Sequence, residues 1–245
     1  MITIDNLHKK LDGKPILNGL SLFVGKSETL ALIGGSGTGK SVTLKHIIGL
    51  MQPDSGRVIV DGHQVSSGRI PDIEAARRKI GFLFQSAALI NWLNVYDNVA
   101  LPLREHTNLS ETEIQNRVME KLRLLDLEDA QNKMPDAISG GMKKRAGLAR
   151  AVIRDPKIVL YDEPTTGLDP VKAADIDQMI KDAGEHFHVT QVVVTHDMES
   201  AFSIADRVAM LYKGKIIASG TPDEFRDISD PVVRSFIRGD NKNAG

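Results

Sequence analysis

The chain has 245 residues, 41% of them hydrophobic, enough for a substantial core in one large or two small domains. A formal net charge of -1 gives no global pull toward nucleic acid, and the lack of cysteine rules out disulfides and thiolate metal sites. The opening "MITIDNLHKK" has no apolar signal-peptide core, and no apolar run approaches the ~18 residues of a membrane span. A soluble chain is expected, with any membrane role reached through a partner.

Taken in order, the first third reads as strands. "HKKLDGKPIL" carries Asp12-Gly13, a hairpin signal. "ETLALIG", "GRVIVDG" and "KIGFLFQ" are short β-rich runs marked by glycine. Arg77, Arg78 and Lys79 read as a solvated helix face. The middle is helical. Ser110 and Glu113 form a capping box, after which Ile114, Val118, Leu122 and Leu125 fall on one face.

The last third alternates strand and helix: "KIVLYDE", a helix from Pro170, "QVVVTH", a short helix, then "RVAMLY". Tyr161 reads as core packing, and His186 with His188 as a helix end. A Lys213-Gly214 turn leads to "KIIASG", and Thr221, Pro222 and Glu224 start a closing helix. Residues 240–245 read as a frayed tail. The alternation predicts a largely parallel sheet. The early hairpins predict a small antiparallel sheet beside it, with a helical insert from about 87 to 156.

Five stretches carry chemistry. "GGSGTGKS", Gly34 to Ser41, is a complete G-x-x-x-x-G-K-[ST] motif between a strand and a helix, the context such a phosphate loop requires. Gly34, Gly35, Gly37 and Gly39, with Ser36 and Thr38, let backbone N–H groups wrap a phosphate chain. Lys40 reaches for the β- and γ-phosphates, Ser41 for Mg2+, and Val42 begins the helix. "IVLYDE" ends a buried strand in two acids. Alone, such a pair is an ordinary solvated strand end; beside a complete P-loop, Asp162 is an Mg2+ partner and Glu163 a base for water.

His196 and Gln85 each follow an apolar strand, where α/β sheets bind ligands, although either alone is an unremarkable polar residue. "ISGGMKKR" begins a helix at Ser139 with Gly140 and Gly141, then Lys143, Lys144 and Arg145. Positive charge at a helix N-terminus opposes the macrodipole, and Met142 replaces the usual capping acid. The stretch therefore reads as an anion site without an anion of its own.

The P-loop, Gln85, "ISGGM" before "DEP", "TGLDP" and His196 occur in an order that resembles ABC-transporter ATPase domains across essentially the whole chain. The resemblance implies a single α/β domain over 1–245: a P-loop NTPase (RecA-like) core, an antiparallel β subdomain and an α-helical subdomain insert. It also implies hydrolysis of ATP with Mg2+ by a homodimer. Glu163 would be the catalytic base, and His196 would orient the γ-phosphate and water. Gln85 would sense Mg2+, alongside Ser41 and Asp162, and couple to an integral membrane permease. Ser139, Gly140 and Gly141 would face the γ-phosphate held by the partner subunit. Asp169 would lie on the loop crossing the interface, although Asp before Pro170 is also a plain helix start.

Within that family, "GFLFQSAALINWLNVYDNVALPLREHT" and Met142 look like the ATPase of Mla-type lipid transporters. That subgroup implies glycerophospholipid cargo, an MCE-domain lipid carrier, a STAS-domain protein, and a peripheral place on the cytoplasmic face of the inner membrane. The alternatives are the ATPase of an importer for a small polar solute, and a non-transport ABC ATPase. The latter is disfavoured by the lack of a long coiled-coil insert or a second ATPase domain. One departure stands out. Leu11 aligns where many relatives place an aromatic against adenine.

Overall fold

The computed structural model describes residues 1–239, except the side chains of His186 and Phe187; the tail read at 240–245 lies outside the described residues. Strands β1 (Ile2–Leu11) and β2 (Lys14–Val24) form an antiparallel hairpin. Asp12 and Gly13 turn it with positive φ, 49° and 79°, as a two-residue turn matched to strand twist requires. Then come β3 (Thr29–Ile33), α1 (Lys40–Ile47), β4 (Ser55–Val60), β5 (His63–Gln64) and α2 (Ile70–Arg77). After β6 (Ile80–Leu83), three helices follow: α3 (Val95–His106), α4 (Glu111–Leu124) and α5 (Gly140–Val152). The chain continues through β7 (Ile158–Asp162), α6 (Pro170–Phe187), β8 (Thr190–Thr195), α7 (Met198–Ile204), β9 (Arg207–Tyr212) and β10 (Lys215–Gly220). It closes with α8 (Pro222–Asp227) and α9 (Pro231–Ile237).

Two sheets result, ordered β2-β1-β4-β5 and β10-β9-β3-β8-β7-β6. The first is antiparallel throughout. In the second, β9, β3, β8, β7 and β6 are parallel and β10 is an antiparallel edge. Every residue of β3 and β8 is buried, which explains their unbroken apolar runs: a parallel sheet is covered on both faces. Leu30, Leu32, Leu160 and Val192 face α1 and the antiparallel sheet. Val159, Tyr161 and Val193 pack with the helical core, which holds Ile114, Val118, Leu122 and Leu125. Each such aliphatic side chain, fully buried, contributes about 1.5–3 kcal/mol. The Ser110–Glu113 capping box that starts this face is formed in both directions.

The sheets meet where the β9–β10 turn abuts β2. Asn18 N–H donates to Gly214 O at 2.9 Å, and a Cβ on Gly214 would stand 2.7 Å from Asn18 N. Only glycine fits so close an approach.

The structure differs from the sequence reading in two local respects. The chain does not end its fold at α8, because Asp230 caps a further helix with Pro231 at its first position. The Arg77–Lys79 run is not simply solvated. Arg77 donates to the carbonyls of Ile48 (2.8 Å) and Gly49 (3.1 Å), satisfying the end of α1, and Lys79 pairs with Asp61 at 2.7 Å. Helix α6 ends at Phe187 with His188 as its left-handed cap, a helix end as read from the sequence.

Candidate nucleotide site

Parallel strands deliver their last residues to one edge of the sheet. Register places Ile33 beside Thr195, Asp162 beside Val194, and Leu83 beside Tyr161. The four loops leaving this edge therefore carry the P-loop, Glu163, His196 and Gln85 into one neighbourhood.

The P-loop requires glycine at positions 34 and 39. Gly39 has φ 105°, and a Cβ there would come 2.8 Å from Leu17 Cδ2; one on Gly34 would come 2.4 Å from Leu211 O. Lys40, only 7% exposed, folds back to donate to Gly34 O (2.7 Å) and Gly35 O (3.0 Å). Burial pulls its ammonium below the ordinary lysine range, opposed by the charges of Glu163 and Asp162. Thr38 Oγ1 closes the loop onto Gly35 O at 2.9 Å. Ser41 Oγ donates to Asp162 Oδ1 at 2.8 Å. Burial raises the Asp162 carboxyl, with the Glu163 charge adding to it and the Ser41 bond opposing. The Ser41 hydroxyl and Asp162 carboxylate form an oxygen-only pair of the kind Mg2+ takes, so these residues fit that ion.

Glu163 has a left-handed backbone, φ 52°, rare for a residue with a side chain and concentrated at functional sites. Its N–H donates to Val194 O at 2.9 Å. Its carboxylate accepts from Thr166 Oγ1 (2.9 Å), lies 2.6 Å from His196 Nδ1, and lies 3.7 Å from Lys40 Nζ. A cleft of about 570 Å³ opens over this group. Its lining includes Ser36, Gly37, Gly39, Lys40, Ser41, Val42, Gln85, Glu163 and His196, with Leu11 and Ile16 as an aliphatic wall.

Ser139, Gly140, Gly141 and Asp169 are not in that cleft. Ser139 caps α5, its Oγ accepting from Met142 N–H at 3.3 Å. Cβ atoms on Gly140 and Gly141 would contact Leu168 and Lys172, so the motif sits against the start of α6. Asp169 caps that helix, accepting from Lys172 N–H at 3.1 Å and Lys172 Nζ at 2.6 Å. The sequence reading left Lys143, Lys144 and Arg145 as positive charge offered to an outside anion. Two of the three are used internally. Lys144 points inward to the carbonyls of Gln85 and Glu163, and Arg145 donates to Leu125 O at 3.2 Å.

Sequence reasoning also missed Thr166, which donates to the Glu163 carboxylate, and Ile16 on the cleft wall. For Lys144 a signal existed. Gly141, Lys144, Leu148 and Ala151 recur at helical spacing on a buried face, and a lysine in such a stripe needs acceptors.

Comparison with known proteins places this geometry. The pattern that defines the ABC transporter family matches residues 17–166. The "probable ribonucleotide transport ATP-binding protein mkl" of Mycobacterium tuberculosis is 42% identical over 238 residues. That match takes in 97% of this chain, which spans 66% of the mycobacterial protein. The "intermembrane phospholipid transport system ATP-binding protein MlaF" of Haemophilus influenzae is 38% identical over 98% of this chain and 91% of its own. An ATP-binding cassette solved as a dimer in a post-hydrolysis state, with ADP and Pi, superposes with a TM-score of 0.83. It is 33% identical, covering 91% of this chain and 99% of the cassette. The chain belongs to the ABC transporter family.

Proposed function

We propose that the chain binds and hydrolyses ATP with Mg2+, and that it works as a homodimer powering a glycerophospholipid transporter through an integral membrane permease. The observation that carries the hydrolytic reading is the arrangement of Lys40, Glu163 and His196 around one cleft at the strand ends.

An arriving phosphate chain offers Lys40 a stronger acceptor than two loop carbonyls, and draws it away from the Glu163 carboxylate. Glu163, held by its left-handed backbone, takes a proton from the attacking water as the bond between the γ-phosphorus and the bridging oxygen breaks and ADP leaves. His196 steadies the water and the γ-phosphate from the neighbouring strand end. Ser41 and Asp162, with Gln85, would hold Mg2+, which would supply positive charge to offset that of the phosphate chain. Ser139 and Gly140 open α5 on the surface near Asp169, with Gly141 buried just behind them. A second copy would bring its γ-phosphate to them, completing each site in trans.

The lipid reading rests on the similarity to proteins named for intermembrane phospholipid transport, together with residues 81–107 and Met142. Among the described residues no helix is long and apolar enough to cross a membrane, which suits a peripheral subunit on the cytoplasmic face of the inner membrane. An MCE-domain carrier and a STAS-domain protein complete the proposed assembly. The similarity to proteins named for ribonucleotide transport favours a second reading with a polar cargo. Purification of the chain with its membrane partners, followed by lipid extraction, decides between them. An MCE-domain protein and bound glycerophospholipid are expected. A solute-importer permease with a sugar, amino-acid or nucleotide binding protein would overturn the lipid assignment.

A further inference from the structure

Helix α5 begins at the exposed Ser139 and Gly140 and then turns a lysine into the protein. The Lys144 side chain is 6% exposed. Its ammonium donates to Gln85 O at 2.5 Å and to Glu163 O at 3.1 Å. These carbonyls belong to the loops leaving β6 and β7, which are adjacent parallel strands. One side chain therefore joins three segments: the helix that starts at the serine-glycine motif, the glutamine loop, and the carboxylate at the end of β7.

The bond to Glu163 acts on an uncommon backbone. Residues with side chains avoid φ near 52° unless their surroundings hold them there. On one side, the Glu163 N–H is fixed by Val194 O at 2.9 Å. On the other, its carbonyl is fixed by Lys144. With both flanking peptide planes held, the direction in which the carboxylate leaves the main chain is determined. Burial pulls the Lys144 ammonium below the ordinary lysine range, opposed by the charges of Glu163 and Asp162, and two carbonyls accept from it.

We propose that Lys144 is a positioning residue for ATP hydrolysis: by gripping the main-chain carbonyls of Gln85 and Glu163 it aims the Glu163 carboxylate, and it transmits displacement of α5 to both loops. This rests on the reading of Glu163 as the base. Contact at Ser139 with a second subunit's nucleotide would thus be felt, one helical turn on, at the chain's own Glu163 and Gln85.

The test compares Lys144→Met, Lys144→Arg, Glu163→Gln and the double variant Lys144→Met/Glu163→Gln, each measured for ATP binding and for single-turnover phosphate release by the 245-residue chain. Methionine keeps the length and removes the donors. Lys144→Met is expected to bind ATP within about threefold of wild type and to lose about tenfold or more in turnover, a loss confined to the chemical step. Lys144→Arg, which keeps a cation and its donors, is expected to return most of the lost rate. In the Glu163→Gln background, Lys144→Met is expected to change the residual rate by less than about threefold, because a residue acting through Glu163 has nothing left to aim.

Wild-type turnover in Lys144→Met overturns the proposal. So does loss of ATP binding with turnover, an Arg variant as slow as the Met variant, or the same rate loss in both backgrounds, since each marks a packing role. Near-wild-type turnover in Glu163→Gln removes the base assignment itself, and the proposal with it; an inactive Glu163→Gln beside a fully active Lys144→Met removes the proposal alone.

Discussion

His196 Nδ1 lies 2.6 Å from Glu163 Oε2, although the two residues are 33 positions apart. The contact arises because β7 and β8 are parallel neighbours ending at the same edge, so the residue after each strand enters the same space. The partners differ in exposure: the Glu163 side chain is 12% accessible and the His196 side chain 60%. The carboxylate is thus shielded and the imidazole faces the cleft, the order needed if the former handles water and the latter meets an incoming γ-phosphate.

Glu163→Gln is expected to retain ATP binding and to lose turnover by ~10²–10⁴, the usual cost of removing a positioned base. Both contacts fall on one carboxylate oxygen, and the amide oxygen in its place still accepts from Thr166 Oγ1 and from His196 Nδ1–H, so the loop keeps its shape. Uncleaved ATP should then hold two chains together, which size-exclusion chromatography with ATP will show. Steady-state hydrolysis within about threefold of wild type would contradict the role.

Ser139 and the P-loop serve different nucleotides if the motif acts in trans. The chain contains no cysteine, so Ser36→Cys and Ser139→Cys can be introduced without further changes. With ATP present, the double variant is expected to crosslink into dimers under mild oxidation. Crosslinks only within single chains would refute the trans arrangement.

Leu11 and Ile16 form the aliphatic wall of the cleft. A base resting on leucine forgoes part of the ~1–3 kcal/mol that aromatic stacking contributes. Leu11→Tyr is therefore expected to tighten ATP binding about fivefold, or ~1 kcal/mol, with kcat little changed, because the base is remote from the bond broken. Titration with a fluorescent ATP analogue checks it, and unchanged affinity would mean that adenine does not reach Leu11.

Asp177 on α6 accepts from Ser200 Oγ at 2.6 Å. Burial pushes its carboxyl up to about 6, with Asp197 and Glu199 adding to the rise and the Ser200 bond opposing it. An acid raised in the folded state binds its proton more readily there than when unfolded, so its ionisation costs stability as pH increases. Below the unfolded value near 3.8 this cost is absent; it grows to about pH 6 and is level above. Asp177→Asn keeps the acceptor and removes the charge. Its Tm advantage over wild type is expected to rise between about pH 4 and pH 6 and then to plateau. A difference that does not change with pH would show that burial does not shift this group.

Much of the molecule is legible in the sequence because the relevant signals are local. A buried parallel strand is an apolar run, and the residue after it inherits a place at the ligand edge, which is why Gln85, Glu163 and His196 stand out. The Ser110–Glu113 box and the Asp12-Gly13 turn are likewise contained in a few residues. Arg77 shows the opposite situation: it looks like surface charge in its own segment, and its use depends on a carbonyl 29 residues away. For Lys144 the helical stripe marks burial, while its acceptor at Gln85 lies 59 residues away. Ile16 carries no mark of its own and becomes a site residue only when β2 brings it to the cleft, and Thr166 does so only through its bond to the Glu163 carboxylate. Helix α9 had both of its start signals, Asp230 and Pro231, but is too short to show an apolar period.

The junction at Asn18 and Gly214 has a mechanical consequence. The cleft's aliphatic wall stands on one sheet and its phosphate-binding floor on the other, and at this corner the two are hinged by a backbone hydrogen bond with no side chain to wedge them apart. A nucleotide spanning wall and floor would add a cross-brace to two sheets already joined by a shared apolar core, by the bond from Arg207 to Phe23 O and by this corner. Occupancy at about 100 times Kd stabilises the folded chain by about 2.7 kcal/mol. The base end of the ligand, which takes no part in the chemistry, would then be the part in contact with the antiparallel sheet, through Leu11 and Ile16.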